Sequence, residues 1–259
     1  MSDTIKILAI GDVVGRPGRQ ILKDKLQGII DTHRIGMVIV NGENAAGGKS
    51  ITPDIVQEFL SAGVDCITTG NHIWDNMEVM KIIDSEPALL RPANYPAGVR
   101  GHGWHIIERK GFSVCVVNLQ GRLFMEPIDC PFQKFDAIYK EVKDRAPIII
   151  VDLHAEATSE KIAFGWYVDG RASAVFGTHT HVMTADETVL PGGTGYITDV
   201  GMTGSFDSVI GINKENSVKR FLTFTRVKFE VAEKNCKINA VVFEITRGGK
   251  TEKVTRIIA

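Results

Sequence analysis

Apolar residues fall along this chain in two alternating rhythms. Short runs rich in β-branched residues, 5–10, 37–40 and 66–69, are separated by stretches whose apolar positions recur roughly every 3.6 residues. After the first run, Ile21, Leu22, Leu26, Ile29 and Ile30 share one helical face. The second helix opens at Thr52-Pro53, a capping threonine followed by proline at the first helical position, with Ile55, Val56, Phe59 and Leu60 as its apolar stripe. A short helix near 77–83 follows the third run. This alternation predicts parallel strands joined by crossover helices.

Beyond Pro87 the rhythm changes. A loop punctuated by Pro92, Pro96, Gly98, Gly101 and Gly103 leads into strands at 104–109 and 112–119, with Lys110-Gly111 as the hairpin turn. A helix over 132–144, a buried strand over 147–152, a helix over 160–167 and a short strand over 174–177 follow. The last third reads as strand-rich, at 188–190, 195–197, 221–229, 238–245 and 254–258, with one short helix near 215–220. No repeat or linker interrupts the pattern, so the expectation is one α/β domain over residues 1–259, two mixed sheets packed together with helices outside.

Composition narrows the function. Thirty Lys+Arg against 31 Asp+Glu leave a formal net charge of -1, which argues against a stable nucleic-acid complex or a polybasic membrane binder. No apolar run approaches the length of about 20 residues that spans a bilayer, and Met1 to Lys6 lack the basic flank and apolar core of an export signal. The expectation is a cytoplasmic protein with no membrane partner; the oligomeric state stays open, a homo-oligomer included. Four widely spaced cysteines form no C-x-x-C pair and read as reduced thiols, with Cys115 and Cys236 as small buried hydrophobes.

Chemistry concentrates where strands end. The first run is followed by Gly11-Asp12, the second by Glu43 and Asn44, the third by Asn71, His72 and Asp75. The strand at 147–152 leads into His154 and Glu156, and the one at 174–177 into His179 and His181. Parallel strands share their C-terminal edge, so five distant segments are expected to meet there, with Gly11, Gly42, Gly70 and Gly177 letting the backbone turn sharply. His179 and His181 alternate, which in extended backbone aims both rings the same way. An aspartate after a strand is ordinarily a cap or turn former, and His-x-His alone is a weak signal. Carboxylate, amide and imidazole together at five strand ends point instead to a metal site, with a donor set suited to Mn, Fe or Zn rather than to Ca or Mg alone. His33, closing a helix, and His102 and His105, flanking a hairpin, read as structural.

One look-alike needs separating. Ala-Gly-Gly-Lys49-Ser50 after a strand imitates a phosphate-binding loop, but Glu43 stands where its first glycine belongs, and the helix begins at Thr52-Pro53 rather than at Lys49. No Gly-x-Ser-x-Gly elbow is present either.

Taken in order, Gly-Asp, Gly-Glu-Asn, Gly-Asn-His, a lone His and Gly-Thr-His-Thr-His resemble the motifs of calcineurin-like metallophosphoesterases over residues 5–200. Val14 stands where that family carries its first histidine, and Glu43 where it carries a bridging aspartate; with Asp-Val-Gly-Met-Thr-Gly at 199–204, these departures resemble the YmdB-like branch. The resemblance implies a four-layer α-β-β-α sandwich of two mixed sheets. It further implies two divalent or trivalent transition-metal ions, Fe or Mn before Zn, bridged by Glu43. Asp12, Asn44 and His181 would complete one site, and Asn71, His154 and His179 the other. His72 matches the catalytic histidine, with Asp75 as a candidate to orient it.

The activity so implied is hydrolysis of a small phosphodiester, a cyclic nucleotide of the 2′,3′ kind, by a hydroxide shared between the ions with His72 as general acid. Open alternatives are a metal-bearing regulatory protein of weak turnover, a phosphomonoesterase and a 3′,5′-cyclic phosphodiesterase. For substrate walls, the loop carrying Arg122 and Phe124 and the stretch 201–204 are candidates, the former equally readable as an exposed loop that merely closes over the sheet.

Overall fold

A computed structural model describes residues 4–259; the expected lack of an export signal falls in part on Met1 to Asp3, outside them. The chain runs β1 (Thr4–Ile10), β2 (Asp12–Val13), α1 (Gly15–His33), β3 (Met37–Asn41), α2 (Pro53–Ser61) and β4 (Cys66–Thr68), then two 3-10 turns, Ile73–Asp75 and Met77–Lys81. It continues through β5 (Trp104–Arg109), β6 (Phe112–Gln120), α3 (Pro131–Val142), β7 (Ile148–His154), α4 (Thr158–Val168) and β8 (Ala174–Thr178). The remainder is β9 (Thr188–Val189), β10 (Gly195–Ile197), β11 (Met202–Ser205), α5 (Lys214–Thr223), β12 (Cys236–Lys237), β13 (Asn239–Thr246) and β14 (Thr251–Ile258).

Two mixed sheets result, ordered β14-β13-β1-β3-β4 and β5-β6-β7-β8-β10-β9, with a small third sheet β12-β11-β2. Strand alternation sorts the apolar side chains into layers. Ile5, Ile7 and Ala9 of β1 pack with Ile148 and Ile150 of β7 and Phe176 of β8 between the sheets. Leu8 and Ile10 turn outward to Leu22 and Leu26 of α1 and Val56 and Phe59 of α2. Ile149 and Val151 turn the other way, onto Phe135 of α3 and Phe164 of α4. This is the expected α-β-β-α sandwich. Within it β1, β3 and β4 run parallel, as do β6, β7, β8 and β10, so each sheet brings its strand ends to one rim.

Local chemistry agrees with these elements. Thr52 caps α2 by accepting from the Ile55 amide, ahead of Pro53. Lys110 and Gly111, at φ 50° and 77°, make the tight turn between β5 and β6. No described helix is long and apolar enough to cross a membrane.

Three expectations are corrected. Residues 221–229 are not a strand: α5, capped by Asn213, runs to Thr223, and irregular chain follows. The run of Phe221, Leu222 and Phe224 imitates a strand, yet they are 73%, 80% and 97% exposed, so no facing layer rewards extension. Cys236 is not buried in the core but half-exposed on β12, whereas Cys66 and Cys115 are buried; all four thiols are free. Gly11, Gly42, Gly70 and Gly177 are not among the residues with positive φ. They are needed for close approach: a Cβ on Gly177 would lie 1.8 Å from the Thr198 carbonyl oxygen.

Phe243 of β13 fills the space between the sheets against Gly195 of β10, where an added Cβ would lie 2.7 Å from the ring. Phe243→Ala is expected to lower stability by about 3–5 kcal/mol. Urea denaturation checks this through a lowered midpoint at unchanged slope.

Candidate metal centre

The rim where the strands end gathers the predicted residues. Asp12 sits on β2, its amide donating to the Gly201 carbonyl at 3.1 Å. Glu43 follows β3, its amide donating to Asn41 Oδ1 at 3.1 Å. Asn71 and His72 follow β4, His154 ends β7, and His179 and His181 follow β8.

These side chains converge in two groups around Glu43. In one, His154 Nε2 lies 3.1 Å from Glu43 Oε1, 3.0 Å from Asn71 Oδ1 and 3.0 Å from His179 Nδ1. Donor atoms of Glu43, His154 and His179 all lie within 4.8 Å of one another. In the other, His181 Nε2 lies 3.1 Å from the Asn44 amide and 3.9 Å from Asp12 Oδ1, and Asn44 Nδ2 lies 3.4 Å from Glu43 Oε1. Gly70 makes room, since a Cβ there would sit 2.1 Å from Glu43 Oε2 and 2.2 Å from His154 Cδ2.

The second nitrogen of each imidazole is held. His154 Nδ1–H donates to Thr178 Oγ1 at 2.9 Å, and that hydroxyl donates to Asp152 Oδ1 at 2.7 Å. His179 Nε2 lies 3.1 Å from Glu156 Oε2, and His181 Nδ1–H donates to the Ile210 carbonyl at 2.9 Å. His72 Nδ1–H donates to Asp75 Oδ2 at 3.0 Å. Such outer partners fix the tautomer, so that a ring, when neutral, carries its lone pair on the inner nitrogen. His179 and His181 do not lie in extended backbone, as alternation suggested. They have φ of 97° and 65°, so a kinked turn rather than a strand aims them.

That turn rests on a buried ion pair. Lys161 Nζ of α4 lies 2.6 Å from Asp199 Oδ2 and donates to the Thr178 carbonyl at 2.8 Å. Asp199 also accepts from the Thr180 amide and hydroxyl and from the Gly201 amide. The stretch 201–204 is not among the residues lining the cavity over this rim; from Met202 it carries β11, which pairs with β2 and holds Asp12 in place. Arg122 lines a separate depression with Leu123 and Met125, the amides at 122 and 123 bound to Glu160, while Phe124 is outside that lining and 90% exposed.

A cavity of about 330 Å³ opens onto the rim, lined among others by Glu43, Asn44, His72, His179, His181, Lys49 and Phe229. Sequence reasoning passed over Lys49, Ile210 and Phe229 as functional residues. Lys49 was legible only as a failed phosphate loop, yet its Nζ lies 3.1 Å from Asp75 Oδ2.

The electrostatics fit a cation. Asp12, Glu43 and His154 are at most 1% exposed, and Asp12 Oδ1 has no hydrogen-bond partner among the described residues. Burial pushes Asp12 above the usual carboxylate range and lifts Asp152 to about 7. Burial opposes ionisation of Glu43 as well, but the imidazoles of His154, His72 and His179, with the His154 hydrogen bond, together outweigh it and hold the carboxyl at about 2. Burial likewise disfavours charging His154, yet Glu43, Asp12 and Asp152 together raise it to about 9. Burial and the neighbouring His154 drive His179 down to about 3. One imidazolium thus supplies positive charge among the carboxylates. An orphaned buried carboxylate oxygen with imidazole and carboxylate donors around it is what a borderline cation takes.

A four-layer sandwich with this donor set at its strand ends defines a calcineurin-like metallophosphoesterase. Residues 8–257 match the family model described as YmdB-like protein, and the chain belongs to that family. It is 49% identical over 98% of its length to the 2′,3′-cyclic-nucleotide 2′-phosphodiesterase of Bacillus subtilis strain 168, 97% of which is covered. Among solved structures, a phosphatase from Mycoplasma pneumoniae superposes with a TM-score of 0.94 at 35% identity, covering all of this chain and 94% of that one. A Thermus thermophilus protein described as hypothetical superposes at 0.93 and 43% identity, covering 98% of this chain and 99% of that one.

The neighbouring carboxylates hold a proton on His154 up to about pH 9, so a cation that takes this imidazole as a ligand would displace that proton. Affinity for Mn²⁺ is expected to rise with pH, about tenfold per unit for one proton, and to level off once His154 is neutral. Calorimetric titration in two buffers of different ionisation enthalpy reads the proton release directly; a pH-independent Kd contradicts it.

Proposed function

We propose that this protein is a dinuclear metal-dependent phosphodiesterase that opens 2′,3′-cyclic nucleoside monophosphates. The observation that carries the reading is the sharing of Glu43 between two donor groups beside a histidine that belongs to neither. In this reading Asp12, Asn44 and His181 hold one ion, Asn71, His154 and His179 the other, and Glu43 both. Iron or manganese suits the mixed carboxylate, amide and imidazole set. Bound there, two such cations supply a water of lowered pKa and neutralise charge on the phosphoryl oxygens.

The chain's own groups do the rest. His72 lines the cavity, and Asp75 occupies its Nδ1, so Nε2 is the nitrogen free to serve the substrate. As imidazolium it gives the Nε2 proton to the departing ribose oxygen, and Asp75 stabilises the charge before transfer and fixes the ring orientation. The Lys49 ammonium on the same Asp75 oxygen adds positive charge at the rim where a phosphodiester anion enters. Glu156, Thr178 with Asp152, and the Ile210 carbonyl keep three imidazoles in the tautomer that coordinates. The curated relative's name supports the 2′,3′-cyclic class, and the family supports the metal dependence.

His72→Ala is expected to keep its metal content and lose about 10²–10⁴ in kcat. Glu43→Gln is expected to lose metal and activity together. Elemental analysis of purified variants, paired with turnover of a panel of 2′,3′-cyclic, 3′,5′-cyclic and bis(p-nitrophenyl) phosphates, decides both. Full metal occupancy in Glu43→Gln contradicts the shared-ligand role, and preference for a 3′,5′-cyclic substrate contradicts the proposed class.

A further inference from the structure

The cavity over the metal centre has two unlike walls. One is the polar rim already described. The other is apolar, made by Ile210, Ile212, Phe229 and the bare backbone of Gly48. Phe229 and Ile210 remain 49% and 50% exposed, so this apolar surface is not spent on the core.

It is also a built surface. Gly48 has φ 99°, and a Cβ there would stand 2.7 Å from Phe229 Cε1, so the ring packs directly on its backbone. Ile210 has φ 49°, a left-handed conformation that strains a β-branched residue. Its carbonyl holds His181 Nδ1 at 2.9 Å, so the loop that presents the apolar wall also orients a residue of the metal centre. Backbone bonds from Asn213 to Glu230 at 2.8 Å and from Ala232 to Gly211 at 2.9 Å staple that loop to the segment bearing Phe229.

We propose that this wall is a nucleobase subsite, in which Phe229 stacks on the base and Ile210 and Ile212 complete the slot. The inference rests on the phosphodiesterase reading above and names the part of the substrate that lies beyond the phosphate. A volume of about 330 Å³ falls at the lower end of the range of small-ligand pockets, about 300–1,000 Å³. The side chains of this wall are one aromatic ring and two isoleucines, with no donor or acceptor among them to read a base edge, so the wall recognises a base by stacking. Every base has a π-face, so the subsite tolerates all four.

Phe229→Ala and Phe229→Trp test it, with adenosine, cytidine and uridine 2′,3′-cyclic phosphates set against base-free ribose 2′,3′-cyclic phosphate. Stacking of the usual strength predicts that Phe229→Ala lowers the kcat/KM ratio of nucleotide to base-free substrate about tenfold or more, mostly through KM. Phe229→Trp is expected to restore it. A ratio unmoved by the alanine substitution, or a preference among bases as large as the stacking effect itself, overturns the subsite. AMP binding by calorimetry separates this from failure of the underlying reading. If the wild type turns over no cyclic phosphate but binds AMP, and Phe229→Ala loses that binding, the hydrolase reading fails and the subsite stands. Equal AMP binding by wild type and Phe229→Ala overturns the subsite whatever the turnover.

Discussion

Burying charge is the constraint on which this molecule turns. Asp12, Glu43 and His154 sit almost wholly out of water at the rim of two sheets, where an uncompensated ion is costly. The protein alone meets that cost only in part. His154 takes a proton against the cost of its burial, Asp12 resists ionisation, and one of the Asp12 oxygens finds no hydrogen-bond partner among the described residues. Each of these marks a centre built for a cation. The fold tolerates the arrangement because the sandwich beneath is close-packed on both faces of both sheets.

Around that centre lies a second ring of interactions that converts loose donors into a fixed cage. Asn41, Thr68 and Thr178 all bond to Asp152, tying the ends of β3, β4, β7 and β8 into one buried network. Lys161 and Asp199 do the same for the turn carrying His179 and His181. The positive φ at both histidines is backbone strain, of order 1–3 kcal/mol each, maintained by this ring. The same logic extends outward, where the Ile210 carbonyl joins the cage to the apolar wall of the cavity.

Much of this was legible in the chain itself. The period of the apolar residues set the layers, and polar residues immediately after buried strands marked the rim, because parallel strands must end together. What escaped the sequence had physical reasons. Residues 221–229 carry the composition of a strand but no facing layer to pack on, and burial, not propensity, decides such segments. Phe229 and Ile210 reach the cavity from irregular chain far from the motifs, with no periodicity to betray them. Lys161 lies in the first turn of α4, where a lysine ordinarily faces water, and only the fold reveals its burial against Asp199. The glycines at strand ends were noticed for the wrong property: neighbouring backbone and side chains approach too closely for a Cβ, and φ is ordinary.

The central claim, that Glu43 joins two cation sites built from separated strand ends, is tested most directly by anomalous diffraction from crystals grown with manganese. Two anomalous peaks about 3.5–4 Å apart are expected, flanking the Glu43 carboxylate, one near His154 and His179 and the other near Asp12 and His181. A single peak remote from Glu43, or none within coordinating distance of His179, contradicts it.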